Sequence, residues 1–226
     1  MARPFVVVVT GLLAEARVAQ VAPGHGLAGG ADVDRLRSGL GRAFSEGAGA
    51  VLSFGLAAGL APRQSPGALV IPSEIIGGGG RYATDQRWSE AMRLALKGAD
   101  VRPIMGVDAP LIRSADKLQL HAATGAVAAD MESHLAAELA LRADRPFAAL
   151  RVICDPLECT LPPAAVVALS RDGSVKVAAV LLSLLSNPRQ LPGLMRVAGD
   201  ARTAMAVLQQ CRRILGSDFG WVSAKS

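Results

Sequence analysis

The apolar positions of this chain change period several times, and those changes lay out its elements. Residues 6–9 are an unbroken valine run closed by Thr10-Gly11, the pattern of a buried strand. Val33, Leu36, Leu40 and Phe44 then recur at helical spacing, with Gly47 as a stop. Strands are expected at 50–54 and 68–76, split by the turn-prone stretch 62–67. The four glycines 77–80 read as a hinge or loop and lack the spacing of a phosphate-binding fingerprint. A helix is expected at 85–96. A strand follows at 101–107, with Pro103 marking an irregular or edge start. Ser114 is placed to cap a helix over 115–123, with Gly125 beyond it. Residues 126–129, 131–141 and 147–153 then give strand, helix, strand. After Pro163 helical patterns dominate, and Leu194, Ala201, Met205, Leu208, Cys211 and Leu215 approximate one face of a long helix. This alternation predicts an α/β protein, a three-layer α/β/α sandwich forming one domain over 1–226.

Composition sharpens that picture in two places. Hydrophobic residues make up 51% and aromatics only 4%, so alanine, leucine and valine must build the core. The longest uncharged run, 47–62, is glycine-rich and falls short of a bilayer span, and the apolar run 5–9 is too short for a signal peptide. Three cysteines, Cys154, Cys159 and Cys211, leave one without a partner and suggest a reducing compartment. A soluble cytoplasmic protein is therefore expected. His25, His121 and His134 are scattered, so neither a metal site nor a Ser-His-Asp set is expected.

The net charge is +5, and from residue 186 onward six basic residues face two acids, a surplus of +4. The excess thus sits in a basic helical C-terminal segment. A solvated helix face is its ordinary reading, and peripheral contact with an anionic inner-membrane surface is the functional one. Without aromatic interleaving or a recognition motif, nucleic acid is not an expected partner.

The chemistry-bearing residues gather at two strand ends. Arg151-Val152-Ile153-Cys154-Asp155-Pro156 delivers a carboxylate at the carboxyl end of an apolar strand, where ligands of α/β sheets collect. Pro156 biases Asp155 away from helix. About twenty residues earlier, Asp130-Met131-Glu132-Ser133 follows a second apolar strand. From the residues alone, Asp155 is as much a helix-capping acid as a catalyst, and Glu132 reads as a first-turn acid favoured by the helix dipole. Arg151, a charge inside an apolar strand, is expected to be buried with a partner.

These motifs resemble the purine nucleoside phosphorylase and methylthioadenosine nucleosidase superfamily. The segments Thr10–Glu15, Phe54–Pro62 and Gly106–Leu111 are similar to its first strand end, glycine-rich loop and base-pocket segment, so the resemblance covers nearly the whole chain. Val-Thr-Gly-Leu near the start, Asp-Met-Glu-Ser-His, and Pro-Arg-Gln-Leu-Pro at 188–192 look most like the hopanoid-associated phosphorylase group. The resemblance implies a central mixed sheet, a homo-oligomer, no cofactor, and cleavage of an adenine nucleoside. Adenosylhopane is its expected substrate, and phosphate is an optional co-substrate. It implies Asp155 as the acid that protonates the purine and Glu132 as the ribose ligand. Glu15 and Arg151 would serve the nucleophile, and Met131, Gly55, Ala57, Ala58, Pro110 and Leu111 would line the pocket. The chain departs from the family at Ala16, where a second glutamate is usual, and at Leu56, where serine is usual. A leucine cannot donate a side-chain hydrogen bond, so any phosphate is expected at Arg17 or Arg81 and hydrolysis stays open. The stretch 77–88 and the C-terminal region are expected to open the 5′ end of the pocket. The competing readings are a methylthioadenosine/S-adenosylhomocysteine-type nucleosidase or small purine nucleoside phosphorylase, and a non-catalytic nucleoside-binding protein.

Overall fold

The computed structural model describes residues 4–22, 25–28, 32–163, 165, 183 and 186–222. Its centre is a twisted sheet of nine strands among the described residues. The strands are β1 (Phe5–Thr10), β2 (Gly26–Ala28), β3 (Ala48–Gly59), β4 (Leu69–Val70), β5 (Glu74–Gly77), β6 (Gly80–Ala83), β7 (Ile104–Gly106), β8 (Ala128–Asp130) and β9 (Phe147–Asp155). The order is β2-β1-β3-β8-β7-β5-β6, and β9 pairs with both β3 and β4. The sheet is mixed: β3 runs parallel to β1 and β9, while its tip pairs antiparallel with β8.

Helices cover both faces, because strands buried on two sides expose apolar residues in both directions. On one face α2 (Val33–Ser45) and α5 (Ser133–Arg142) bury Leu36, Leu40, Ala136 and Ala140 against Val7, Val9, Val51 and Ile153. On the other, α3 (Gln86–Ala95) and the long α6 (Leu191–Leu215) bury Trp88, Met92, Leu208 and Cys211 against Val6, Val8, Leu52 and Val152. Two further helices are α1 (Leu13–Ala19) and α4 (Ser114–Thr124). The expected three-layer sandwich is the fold observed. No described helix is long and apolar enough to cross a membrane.

Long-range bonds tie the end of α6 back to earlier elements. Arg212 donates to the carbonyl of Ala19, and Trp88 Nε1 donates to the Phe219 carbonyl at 2.8 Å. Part of the helical stretch expected after Pro163 lies outside the described residues.

Several boundaries differ from expectation for local reasons. The strand expected at 68–76 is two strands, β4 and β5, because β4 pairs with β9 whereas β5 pairs with β6 and β7. The glycine run is a tight hairpin: Gly77 pairs with Gly80, while Gly78 and Gly79 take φ of +57° and +79°. Such angles suit the two-residue turns that join twisted strands. The stretch 77–88 is therefore hairpin, strand and the start of α3, and not an open loop. Ser114 does not cap α4; Arg113 occupies that position and pairs with Asp116. Helix α5 begins at Ser133, so Glu132 stands at the cap rather than inside the first turn.

Candidate active site

The site is built from strand ends at the carboxyl edge of the sheet. Strand β3 is the common neighbour: Gly55 lies opposite Arg151 on β9, and Ala58 lies opposite both Asp155 on β9 and Ala129 on β8. Strand β7 adds Gly106 opposite Asp130. Register alone thus brings the segments around residues 55–58, 106–111, 130–132 and 151–155 together.

Glu15 is fixed by backbone donors. Its Oε2 accepts from the amides of Gly11 and Leu12, and its Oε1 accepts from Leu56, each at 2.8 Å. The first two close half of a capping box, in which an acid in the first turn reaches back to the helix start. The third joins α1 to strand β3, 41 residues away; the glycine-rich segment expected as a loop is strand as far as Gly59. Leu56 therefore contributes its backbone amide, a donor of the kind its side chain lacks. Burial raises the Glu15 pKa above the ordinary carboxylate range, against the opposing pull of Arg151 and these amides.

Arg151 is fully buried and pairs with Asp130. Its Nη2 also donates to the hydroxyls of Ser53 and Ser133, and Ser133 in turn donates to Asp130. The guanidinium's Nε and Nη1 find no hydrogen-bond partner among the described residues. Nη1 is directed toward the space above Gly55. A Cβ there would stand 2.6 Å from Nη1 and 2.8 Å from Glu15 Cδ, so only glycine lets these two groups approach. Gly11 leaves room for Glu132 in the same way, since a Cβ at residue 11 would lie 2.8 Å from Glu132 Oε1.

Glu132 is buried, and its pKa is raised to about 8. Burial is the main cause; Asp130 and Glu15 add to it and Arg151 opposes it. Three carboxyl groups thus share one guanidinium, and Asp130 holds that guanidinium directly. In this setting Glu132 keeps its proton at neutral pH.

Asp155 takes its position from a bulge. On β3, Ala57 faces Ile153 and the next residue, Ala58, faces Asp155, so Cys154 is the extra residue. A one-residue shift turns the following side chain to the other face. Asp155 accordingly comes within electrostatic reach of Arg196 and Asp200 on α6. Its Oδ2 lies 2.6 Å from Lys117 Nζ, while Oδ1 is buried with no partner among the described residues. Burial raises its pKa, and Lys117 pulls in the opposite direction.

Lys117 is the member of the site that sequence reasoning misses. It is fully buried in α4, and its ammonium donates to Asp155 Oδ2 and to the carbonyls of Asp155, Pro156 and Cys159. Its helix leaves Leu118 half exposed, so the amphipathic pattern points the wrong way. The local sequence holds no signal for it beyond the presence of a cation. Ser53 and Ser133 are missed likewise, although Ser133 adjoins Glu132.

The remaining residues have plainer settings. Met131 is half-buried beside Glu132, and Ala57 packs into the core. Leu111 packs on Leu60 and Ala129, in a segment whose Ile112 carbonyl accepts from Leu161 at 3.0 Å; Pro110 is half-buried next to it. His134, buried on α5, stands 3.5 Å from Asp108 and not against Glu132. The two candidate phosphate ligands are apart from this cluster. Arg81 is exposed and paired with Glu74. Arg17 lines a groove of ≈ 480 Å³ between α1 and α6 with Arg212 and Arg213. Among the described residues no group of three or more His, Cys, Asp or Glu could hold a metal ion.

The fold has known counterparts. A family model described as the phosphorylase superfamily matches residues 3–186. The chain belongs to that superfamily. It is an enzyme of the nucleosidase or phosphorylase kind, whose reaction cleaves the N-glycosidic bond of a nucleoside. A search of curated proteins found no match. Solved structures share the fold at low identity. A Helicobacter pylori MTAN mutant with 5′-methylthioadenosine in its active site superposes with a TM-score of 0.61 at 12% identity, over 92% of this chain and 98% of its own. The 5′-methylthioadenosine/S-adenosylhomocysteine nucleosidase of S. pneumoniae gives 0.61 at 12%, over 93% and 99%. A futalosine hydrolase mutant from H. pylori gives 0.56 at 11%, over 68% and 91%.

Proposed function

We propose that this member of the superfamily releases adenine from a nucleoside bearing a large apolar 5′ substituent, with adenosylhopane as the substrate. The observation that carries the adenine-nucleoside reading is the charge arrangement of the site. Three buried carboxyl groups lie around one arginine at one end, and at the other lies Asp155, one of whose oxygens has no partner among the described residues. Breaking an N-glycosidic bond leaves positive charge on the sugar and electrons on the base. The carboxyl-rich end suits the sugar: Glu132 accepts hydrogen bonds from the ribose hydroxyls, its proton passes to solvent water as the nucleoside binds, and the carboxylate left behind favours the oxocarbenium-like transition state. Asp155 protonates the leaving purine, a contribution of ~10²–10⁴-fold. Glu15 and Arg151 hold the attacking oxygen.

Support for the 5′ group is the likeness of the Asp130–His134 and Pro188–Pro192 segments to the hopanoid-associated group. The second of these forms a 3₁₀ turn, Pro188–Gln190, leading into α6, whose Arg196 and Asp200 come near Asp155. The basic surplus of that segment suits an enzyme meeting a lipid-linked substrate at an anionic membrane, and assembly as a homo-oligomer belongs to the same reading. The competing substrate is methylthioadenosine, favoured by the ligand in the H. pylori structure.

Adenine release should be measured from adenosylhopane in detergent and from methylthioadenosine, each with and without phosphate, beside Asp155→Asn. Release from adenosylhopane that is lost in Asp155→Asn is the expected result, and its dependence on phosphate separates phosphorolysis from hydrolysis. Preference for methylthioadenosine would replace the lipid substrate with the small one. No release from either compound would overturn the adenine-nucleoside reading.

A further inference from the structure

We propose that Lys117 is the positioning residue of the acid: it fixes Asp155 Oδ2 and supplies the counter-charge for the carboxylate formed when Oδ1 gives its proton to the leaving base. This rests on the proposed cleavage of an adenine nucleoside.

Three features of the pair carry the inference. First, Lys117 has no exposed surface, and each of its contacts is to oxygen: Asp155 Oδ2 at 2.6 Å, the Pro156 and Cys159 carbonyls at 3.0 Å, and the Asp155 carbonyl at 3.3 Å. Burying an ammonium is costly, and a full set of acceptors offsets that cost. Second, the bond occupies one carboxyl oxygen only. Oδ1 is buried and unpartnered among the described residues, which leaves it as the single oxygen available to a ligand. Third, the bond changes strength during the reaction. With its proton on Oδ1, Asp155 is neutral and Oδ2 accepts as a carbonyl oxygen. As the C–N bond breaks, its electron pair passes to the base and the Oδ1 proton follows it. The attacking oxygen, from water or phosphate, bonds to the sugar carbon, and where it is water its proton passes to Glu15. Asp155 is then a carboxylate in a buried ion pair. An interaction stronger after proton transfer than before it lowers the barrier, because it favours the transition state over the bound substrate.

The other charged and titratable groups near Asp155 do not substitute for Lys117. Arg196 and Asp200 approach from α6 with opposite signs, and Cys154 and Cys159 hold pKa values raised by burial, so both remain neutral thiols. Among the described residues, Lys117 is the cation in direct contact.

The test compares two substrates in Lys117→Met, Lys117→Gln and Lys117→Arg. One is the adenine nucleoside turned over by the wild type; the other is p-nitrophenyl riboside, whose leaving group departs without protonation. Lys117→Met is expected to lose about 10²–10³-fold on the adenine nucleoside and to change little on the nitrophenyl compound. Because Lys117 lowers the Asp155 pKa, its removal should also move the fall of rate with rising pH to higher pH. Lys117→Arg should recover part of the loss. Lys117→Gln carries the same test if the methionine variant does not fold. Equal loss on both substrates, or no loss on the adenine nucleoside, would overturn the inference while leaving the proposed function intact. A wild type that cleaves the nitrophenyl compound but no adenine nucleoside would overturn both.

Discussion

At one end of the site the carboxyl groups of Glu15, Asp130 and Glu132 lie around a single guanidinium; at the other, one carboxyl group, Asp155, meets a single ammonium, Lys117. The first end is short of positive charge and the second is balanced. Burial raises both acids: Glu132, whose guanidinium is held directly by Asp130, is held at about 8, whereas the rise at Asp155 is opposed by direct contact with a lysine. The imbalance suits a ligand that becomes cationic, since the ligand itself completes the charge. The balance suits a group that must give up a proton and remain buried as an anion. The same type of side chain thus takes two roles through its neighbours.

The largest stability effect should come from breaking the guanidinium end. Arg151→Met leaves Asp130 buried without its cation, and unpairing a buried charge costs ~3–5 kcal/mol. Urea unfolding at pH 7 should show this loss and recover part of it at lower pH, where the acids protonate. Unchanged stability would mean that Asp130 does not depend on Arg151.

A second test sharpens the imbalance. Glu132 binds its proton more tightly when folded, so between about pH 4.5 and about 8 the native state keeps a proton that the unfolded chain releases. Stability then falls as pH rises through that window, by ~1.4 kcal/mol for each pH unit crossed. Glu132→Gln removes the titration. Relative to wild type, the variant should gain stability from pH 4.5 to 8 by a few kcal/mol, and parallel curves would show that Glu132 is not the proton carrier. A smaller effect is expected of Gly55→Ala. Its methyl group would wedge between Arg151 Nη1 and Glu15 Cδ, costing ~1–3 kcal/mol as overpacking does. Thermal unfolding of the variant checks this, and an unchanged midpoint would mean that the two groups part readily. Smallest of all, Arg81→Ala removes an exposed pair with Glu74 and should leave the thermal midpoint where it is.

The two ends also differ in how far the sequence exposes them. Arg151 stands out as a charge inside an apolar strand, and Glu132 and Asp155 follow recognisable strand ends. Their partners are harder to see. Ser53 is a small polar residue within a strand that reads as core, and it meets Arg151 across 98 positions. Lys117 lies in a helix whose half-exposed Leu118 blurs the apolar stripe, and its partner stands 38 residues away. Periodicity reports which face of an element is apolar and says nothing about which distant groups register will bring together. The fold shows the same division. The long periodic elements are legible, with β1, α2, α3 and β9 near their expected positions. The hairpin at Gly77–Gly80 and the split of β4 from β5 depend on which strands pair, and the bulge at Cys154 depends on the register between β3 and β9.

The bond from Arg212 to the Ala19 carbonyl spans 193 positions, and this separation has a consequence in time. During synthesis the end of α1 forms early, but the side chain that satisfies it is made 193 residues later. At a ribosomal pace of about 5–20 residues per second, the wait is roughly 10–40 s. Throughout that interval the sheet face that will receive α6 is uncovered. The nascent chain must therefore be kept from sticking to its neighbours until α6 emerges.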